Sequence, residues 1–126
     1  MYRGYPCGGH TEGRDQAVLE TLLAQVPESA YRLLLYHSLD PIEVAAEGGV
    51  DLYLAGHTHG GQIRLPVYGA VFTASRLGKR YEMGRYNVGT PTLYVNRGLG
   101  MEGSLAPCAR FLCPPEITVT EIGLNR

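Results

Sequence analysis

The sequence has no run of basic residues. Lys plus Arg number 11 against 12 for Asp plus Glu, a net charge of −1 over 126 residues. Such a chain releases few counterions from a phosphate backbone, so nucleic-acid binding is not expected. Long apolar runs are missing as well. Those present, such as Leu33 to Tyr36, fall far short of the roughly 20 residues that cross a bilayer, and Met1-Tyr2-Arg3-Gly4 opens no signal-peptide core. No segment reads as spanning or targeting a membrane; the location defaults to cytoplasmic, with membrane association left to any segment outside this sequence. Cysteine is scarce. Cys7, Cys108 and Cys113 form no Cys-x-x-Cys pair, so neither a disulfide framework nor a cysteine-based zinc site has support, and all three read as reduced thiols. Aspartate occurs only at positions 15, 40 and 51.

What is present argues for a packed chain: 44% hydrophobic and 18% charged residues do not make a disordered polymer. At about 150 residues per domain the length allows one domain, residues 1–126. Glycine, at 17 residues, has roughly twice its ordinary share and implies close backbone approaches, as in a loop-rich site. Residues 1–13 read as an irregular lead-in rich in Gly and Tyr.

Val18, Leu19, Leu22, Leu23 and Val26 then follow the spacing of one helix face, which predicts an amphipathic helix from Asp15 to Val26 stopped by Pro27. Tyr31 to Tyr36 is nearly continuous in apolar residues, the pattern of a strand covered on both faces. Asp40-Pro41-Ile42-Glu43 combines a cap, a proline at the first helical position and a glutamate three after the cap, which predicts a capping box opening a short helix. That helix ends at Gly48-Gly49, and Val50 to Ala55 is a second strand. The 13-residue crossover from His37 to Gly49 suits a βαβ unit with parallel strands. After Gly61, strand-like stretches at 62–65, 70–73, 79–86, 92–95 and 116–124 suggest a mixed or antiparallel sheet. The fold class is α/β.

Parallel strands put their carboxyl ends on one edge, where open α/β sheets bind ligands. His37 follows the first strand directly, and Gly56-His57-Thr58-His59-Gly60-Gly61 follows the second, so three imidazoles arrive at one edge. The glycines let the backbone turn sharply enough for His57 and His59 to converge on one centre or on two adjacent centres. Imidazole is the commonest protein ligand for Zn, Mn, Fe and Ni, and these three point to a metal site, against solvated loop histidines as the plain alternative. His10, in the lead-in, carries no such support. Ser38 beside His37 is no nucleophile–base pair, because adjacent residues leaving a strand point apart. Arg64, Arg97 and Arg110 read as surface residues, each able to meet a phosphate.

The run from Leu33 to Leu65, with Tyr36-His37-Ser38-Leu39-Asp40-Pro41, Val50-Asp51-Leu52 and Ala55-Gly56-His57-Thr58-His59-Gly60-Gly61-Gln62-Ile63, resembles the C-terminal half of calcineurin-like metallophosphoesterases. It is most similar to a bacterial phosphodiesterase subgroup with the same Gly-His-Thr-His-Gly-Gly-Gln signature. Tyr94 to Gly100 and Cys113-Pro114-Pro115-Glu116-Ile117 are similar to that subgroup's closing segments, so the likeness runs from Gly13 to Leu124. The resemblance implies the C-terminal half of a four-layer αββα sandwich. It further implies two divalent ions, of Mn, Zn, Fe or Ni, activating a water for hydrolysis of a phosphodiester or phosphomonoester. His37 and His57 match ligands of one ion and His59 a ligand of the other.

The family's earlier motifs, Asp-x-His, Gly-Asp-x-x-Asp and Gly-Asn-His, do not occur in this sequence. Three neutral imidazoles cannot hold two dications or offset their charge without a carboxylate. The chain therefore reads as half an active site, whether a truncated gene product, an incomplete gene model or one piece of a split protein, and by itself is expected to be weakly active or inactive. A second reading stays open, a non-catalytic module in which the three histidines hold a single ion or serve an interaction. A third is a chain that pairs with a complementary N-terminal half or with itself.

Overall fold

The computed structural model describes residues 12–103 and 108–123. Most of the lead-in, with Cys7 and His10, lies outside them. Helix α1 runs Glu12–Leu23, shifted three residues toward the N-terminus of its predicted span and taking in the last two residues of the predicted lead-in. It ends before Pro27 because Gln25 and Val26 donate to Leu22 and Leu23 and tighten the last turn. The predicted apolar stripe is only half used: Leu19 is buried and Leu23 packs on the core, while Val18 and Leu22 are exposed.

Strand β1 is Leu33–Leu35, helix α2 Ile42–Glu47 and strand β2 Leu52–Ala55; β1 and β2 pair in parallel, as the crossover length requires. The capping box does not form. Pro41 occupies the cap position with no side-chain cap bond, and Asp40 instead accepts from the Ser75 hydroxyl (2.7 Å) and the Arg76 amide (3.2 Å). Asp51 serves the start of the strand, accepting the Arg32 amide at 2.7 Å. The helix closes where predicted, with Gly48 as cap and Gly49 at φ +68°.

After a short 3₁₀ turn, His59–Gly61, strands β3 (Arg64–Leu65) and β4 (Gly69–Ala70) form a separate antiparallel pair. Strands β5 (Gly84–Asn87) and β6 (Thr92–Val95) complete a mixed sheet of order β1-β2-β6-β5, with β6 parallel to β2 and antiparallel to β5. The stretch 116–123, predicted as a strand, is not one. Its composition suits a strand, but its only backbone link to a neighbouring segment among the described residues is Glu116 N–H to Gly98 O, so no ladder forms.

Register decides the layers. Leu34, Tyr53, Leu93 and Tyr86 stand in one row across the sheet and join Leu19, Ile42, Ala45 and Val50 in the core under the helices. The opposite rows carry Leu33, Leu52 and Thr92, and Leu35, Leu54 and Tyr94. On that face Leu33 is 41% and Leu35 67% exposed, so the first strand is an edge strand covered on one face, not on both.

Candidate metal centre

The β1–β2 ladder continues one step beyond the strands. Tyr36 N–H donates to Leu54 O, and Gly56 N–H donates to His37 O at 3.0 Å, which places the start of the glycine-rich loop beside His37. The loop then turns by an unusual route. His57 (φ +70°), His59 (+51°) and Gln62 (+53°) take left-handed backbone conformations themselves, in addition to Gly60 (+64°) and Gly61 (+79°). Such conformations cost about 1–3 kcal/mol for a residue with a side chain and persist only where the surroundings enforce them. Here the surroundings do so. The buried Thr58 hydroxyl donates to Glu82 O (2.9 Å) and accepts from Gly60 N–H (3.3 Å), and Arg64 donates to Gly60 O (3.0 Å). A Cβ on Gly60 would meet Cys113 Sγ at 2.7 Å, and one on Gly61 would meet Ala70 Cβ at 2.4 Å.

The outcome is a close pair of imidazoles. His57 Nδ1 lies 2.9 Å from His37 Nε2, with ring centroids 4.8 Å apart in an edge-on arrangement. Burial, then the neighbouring His57 and His59, lower the His37 pKa from its ordinary 6.5, while Glu102 opposes them; His37 is held toward the neutral form that ligates metals. His59 stands apart from this pair. Its Nε2 faces Glu102 Oε1 at 3.8 Å, and its Nδ1 is buried without a hydrogen-bond partner. An orphaned polar atom of this kind costs about 1–3 kcal/mol.

These donors can be tested against an ion. Two imidazole nitrogens about 2.0–2.1 Å from one zinc stand roughly 3.0–3.4 Å apart when adjacent in its shell, close to the 2.9 Å between His37 and His57. Among the described residues, however, no group of three or more His, Cys, Asp or Glu side chains converges as a site for one ion. The His37–His57 spacing is thus near that of two neighbouring ligands of one ion, and the described residues do not make up a whole centre.

Ser38 makes a local turn, its hydroxyl accepting Asp40 N–H at 3.1 Å, and has no catalytic partner in view. The three arginines are not simple surface residues. Arg64 pairs with Glu82 (2.8 Å) and Arg97 with Glu116 (2.8 Å), while Arg110 spreads over backbone carbonyls. Buried Glu82, inside the predicted strand-like stretch 79–86, and Glu102 were not singled out by the sequence, since neither stands in a metal-spaced pattern. Cys108 is an exposed free thiol and Cys113 a buried one. No helix among the described residues is long and apolar enough to cross a membrane.

No protein-family model matches the chain, and no solved structure does. Curated proteins do. The chain is 45% identical over 100 residues to the uncharacterized metallophosphoesterase YkuE of Bacillus subtilis, covering 79% of this chain and 34% of that protein. It is 41% identical over 91 residues to the phosphodiesterase YaeI of Escherichia coli, covering 72% and 32%. An uncharacterized metallophosphoesterase of Aquifex aeolicus is 33% identical over 104 residues, 80% of this chain and 36% of that protein. The chain thus spans about a third of the length of the relatives it matches.

Proposed function

We propose, from the premise that this chain is related over most of its length to bacterial metallophosphoesterases, that it supplies the histidine share of a calcineurin-like phosphoesterase centre. The observation that carries this reading is the His37–His57 nitrogen pair, 2.9 Å apart at the carboxyl ends of adjacent parallel strands. His37 and His57 would hold one divalent ion and His59 a second, with Glu102 beside His59. Divalent ions held there would offset the charge of a phosphate ester and lower the pKa of a water for attack on phosphorus. The chain's own part is to present the imidazoles. The β1–β2 ladder positions His37, Thr58 and its bond to Glu82 O fix the loop between His57 and His59, and burial favours the neutral form of His37. The substrate is a phosphodiester or phosphomonoester.

Carboxylates to complete the pair of ions come, in this reading, from a complementing segment docked on the bare sheet face. Parallel sheets are normally covered on both faces, and Leu33 and Leu35 stand uncovered on the strand whose carboxyl end leads to His37. A single ion shared by all three histidines has less support, because His59 turns to Glu102 rather than joining the pair.

The test is hydrolysis of bis(p-nitrophenyl) phosphate with manganese, by the chain alone and after co-expression with the part of the Bacillus subtilis relative that it does not match. Near-background activity alone, and a metal-dependent gain in the complex that His57→Ala removes, are the expected results. Full activity of the chain alone, or a stable complex with no gain, would contradict the proposal.

A further inference from the structure

Arg110 belongs to no strand or helix, and among the described residues no carboxylate pairs with it. Its guanidinium instead gathers backbone carbonyls. Nη1 donates to His59 O (3.3 Å) and Cys113 O (3.2 Å); Nη2 donates to Arg97 O (2.8 Å), Gly98 O (3.1 Å) and Gly100 O (2.6 Å). Bonds from a charged donor are roughly twice as strong as neutral ones, and the planar fork of arginine fixes direction in a way lysine does not. One side chain therefore ties together the loop that carries His59, the turn after β6 and the segment at Cys113.

The tie bears on His59 in two ways. Its carbonyl is anchored at a residue whose backbone is left-handed, a conformation that reverts without enforcement. The turn that Arg110 holds also walls the ring, since Gly100 approaches His59 Cε1, so that a Cβ there would lie 3.8 Å from it. Gln62 fixes the next residues: its Nε2 donates to Glu102 O (2.9 Å) and its Oε1 accepts Glu102 N–H (2.5 Å), which keeps the Glu102 carboxylate near the ring. His37 rests on the β1–β2 ladder, and His57 on the stem of the loop, through Gly56 N–H to His37 O and the Thr58 hydroxyl to Glu82 O, neither of which Arg110 touches.

We propose that Arg110 is a positioning residue for His59, setting the backbone and surroundings of that imidazole while leaving the His37–His57 pair to the sheet and the Thr58 anchor. The proposal builds on the reading of His59 as a ligand of its own ion, and its test separates the two.

The histidine amide and ring signals of the full chain, labelled with nitrogen-15 at histidine, are compared between wild type, Arg110→Gln and Arg110→Lys, the last keeping the charge but not the planar fork. In the absence of added metal, the expected result is displacement or broadening of the His59 signals, with those of His37 and His57 unmoved. In Arg110→Ala, millimolar guanidinium should restore the His59 signals. In the complex with the unmatched part of the Bacillus subtilis relative, affinity for the second zinc ion, read by competition with a chelator, should fall about tenfold or more, the usual loss when a residue supporting a ligand is removed; an unchanged affinity there would count against the proposal. Unmoved His59 signals would overturn the proposal. So would equal disturbance of all three histidines or collapse of the whole spectrum in both variants, which would give Arg110 a general structural role. A wild-type complex with the unmatched part of the Bacillus subtilis relative that takes up no zinc at His59, while His59 of the free chain responds as predicted, would overturn the ligand reading and uphold the positioning.

Discussion

Glu116 shows how single residues in this chain are decided by partners rather than by sequence pattern. Burial alone would raise its pKa, but hydrogen bonds from Tyr94, Arg97 and Thr118 more than offset this and hold it at about 2, against an ordinary 4.5. The folded carboxylate is therefore harder to protonate than the unfolded one. Its stabilisation is in full force above pH 4.5 and is lost as pH falls from there toward 2. Glu116→Gln should lower the urea midpoint at pH 7, and the gap to wild type should narrow at pH 3; an equal gap at both values would refute the role given to the ionised carboxylate. The histidines were legible from sequence because glycines and strand ends bracket them. Arg110 and Glu102 were not, because the His59 carbonyl that Arg110 reaches and the Gln62 side chain that holds Glu102 are brought to them by the fold from 40 or more positions away.

The element that matters most is the loop from Gly56 to Gln62. Its glycines were read as hinges, yet the structure puts strain on His57, His59 and Gln62 too, and uses Gly60 and Gly61 for space as much as for conformation. Gly61→Ala combines a left-handed backbone (φ +79°) with a Cβ 2.6 Å from Phe72 O. The expected loss is roughly 3 kcal/mol, from strain plus overpacking, read as a drop in the urea midpoint; an unchanged midpoint would mean that the loop is looser than described. The βαβ unit was readable because crossover length and apolar runs are local signals, and both strands appear in parallel. Other features failed where tertiary partners intervene. The capping box lost Asp40 to Ser75 and Arg76, and the stretch 116–123 has strand composition without the neighbouring strand that would make it one.

For the whole molecule, one face of the sheet is packed under α1 and α2, and the other leaves Leu33 and Leu35 open on the edge strand that leads into His37. The sequence showed the apolar content of β1 but not that one side of it lies bare, since a continuous apolar run looks the same in an edge strand as in a central one. The open face, the lack of the carboxylate motifs and the match to a third of its relatives' length are accounted for together if the chain works as part of a larger assembly. The most direct measurement is metal content by elemental mass spectrometry, without a histidine tag, of the complex between this chain and the unmatched part of the Bacillus subtilis relative. Two ions per complex are predicted, falling to about one or fewer when His37 and His57 are both replaced by alanine. A complex that keeps two ions after those replacements, or after loss of His59 as well, would contradict the account.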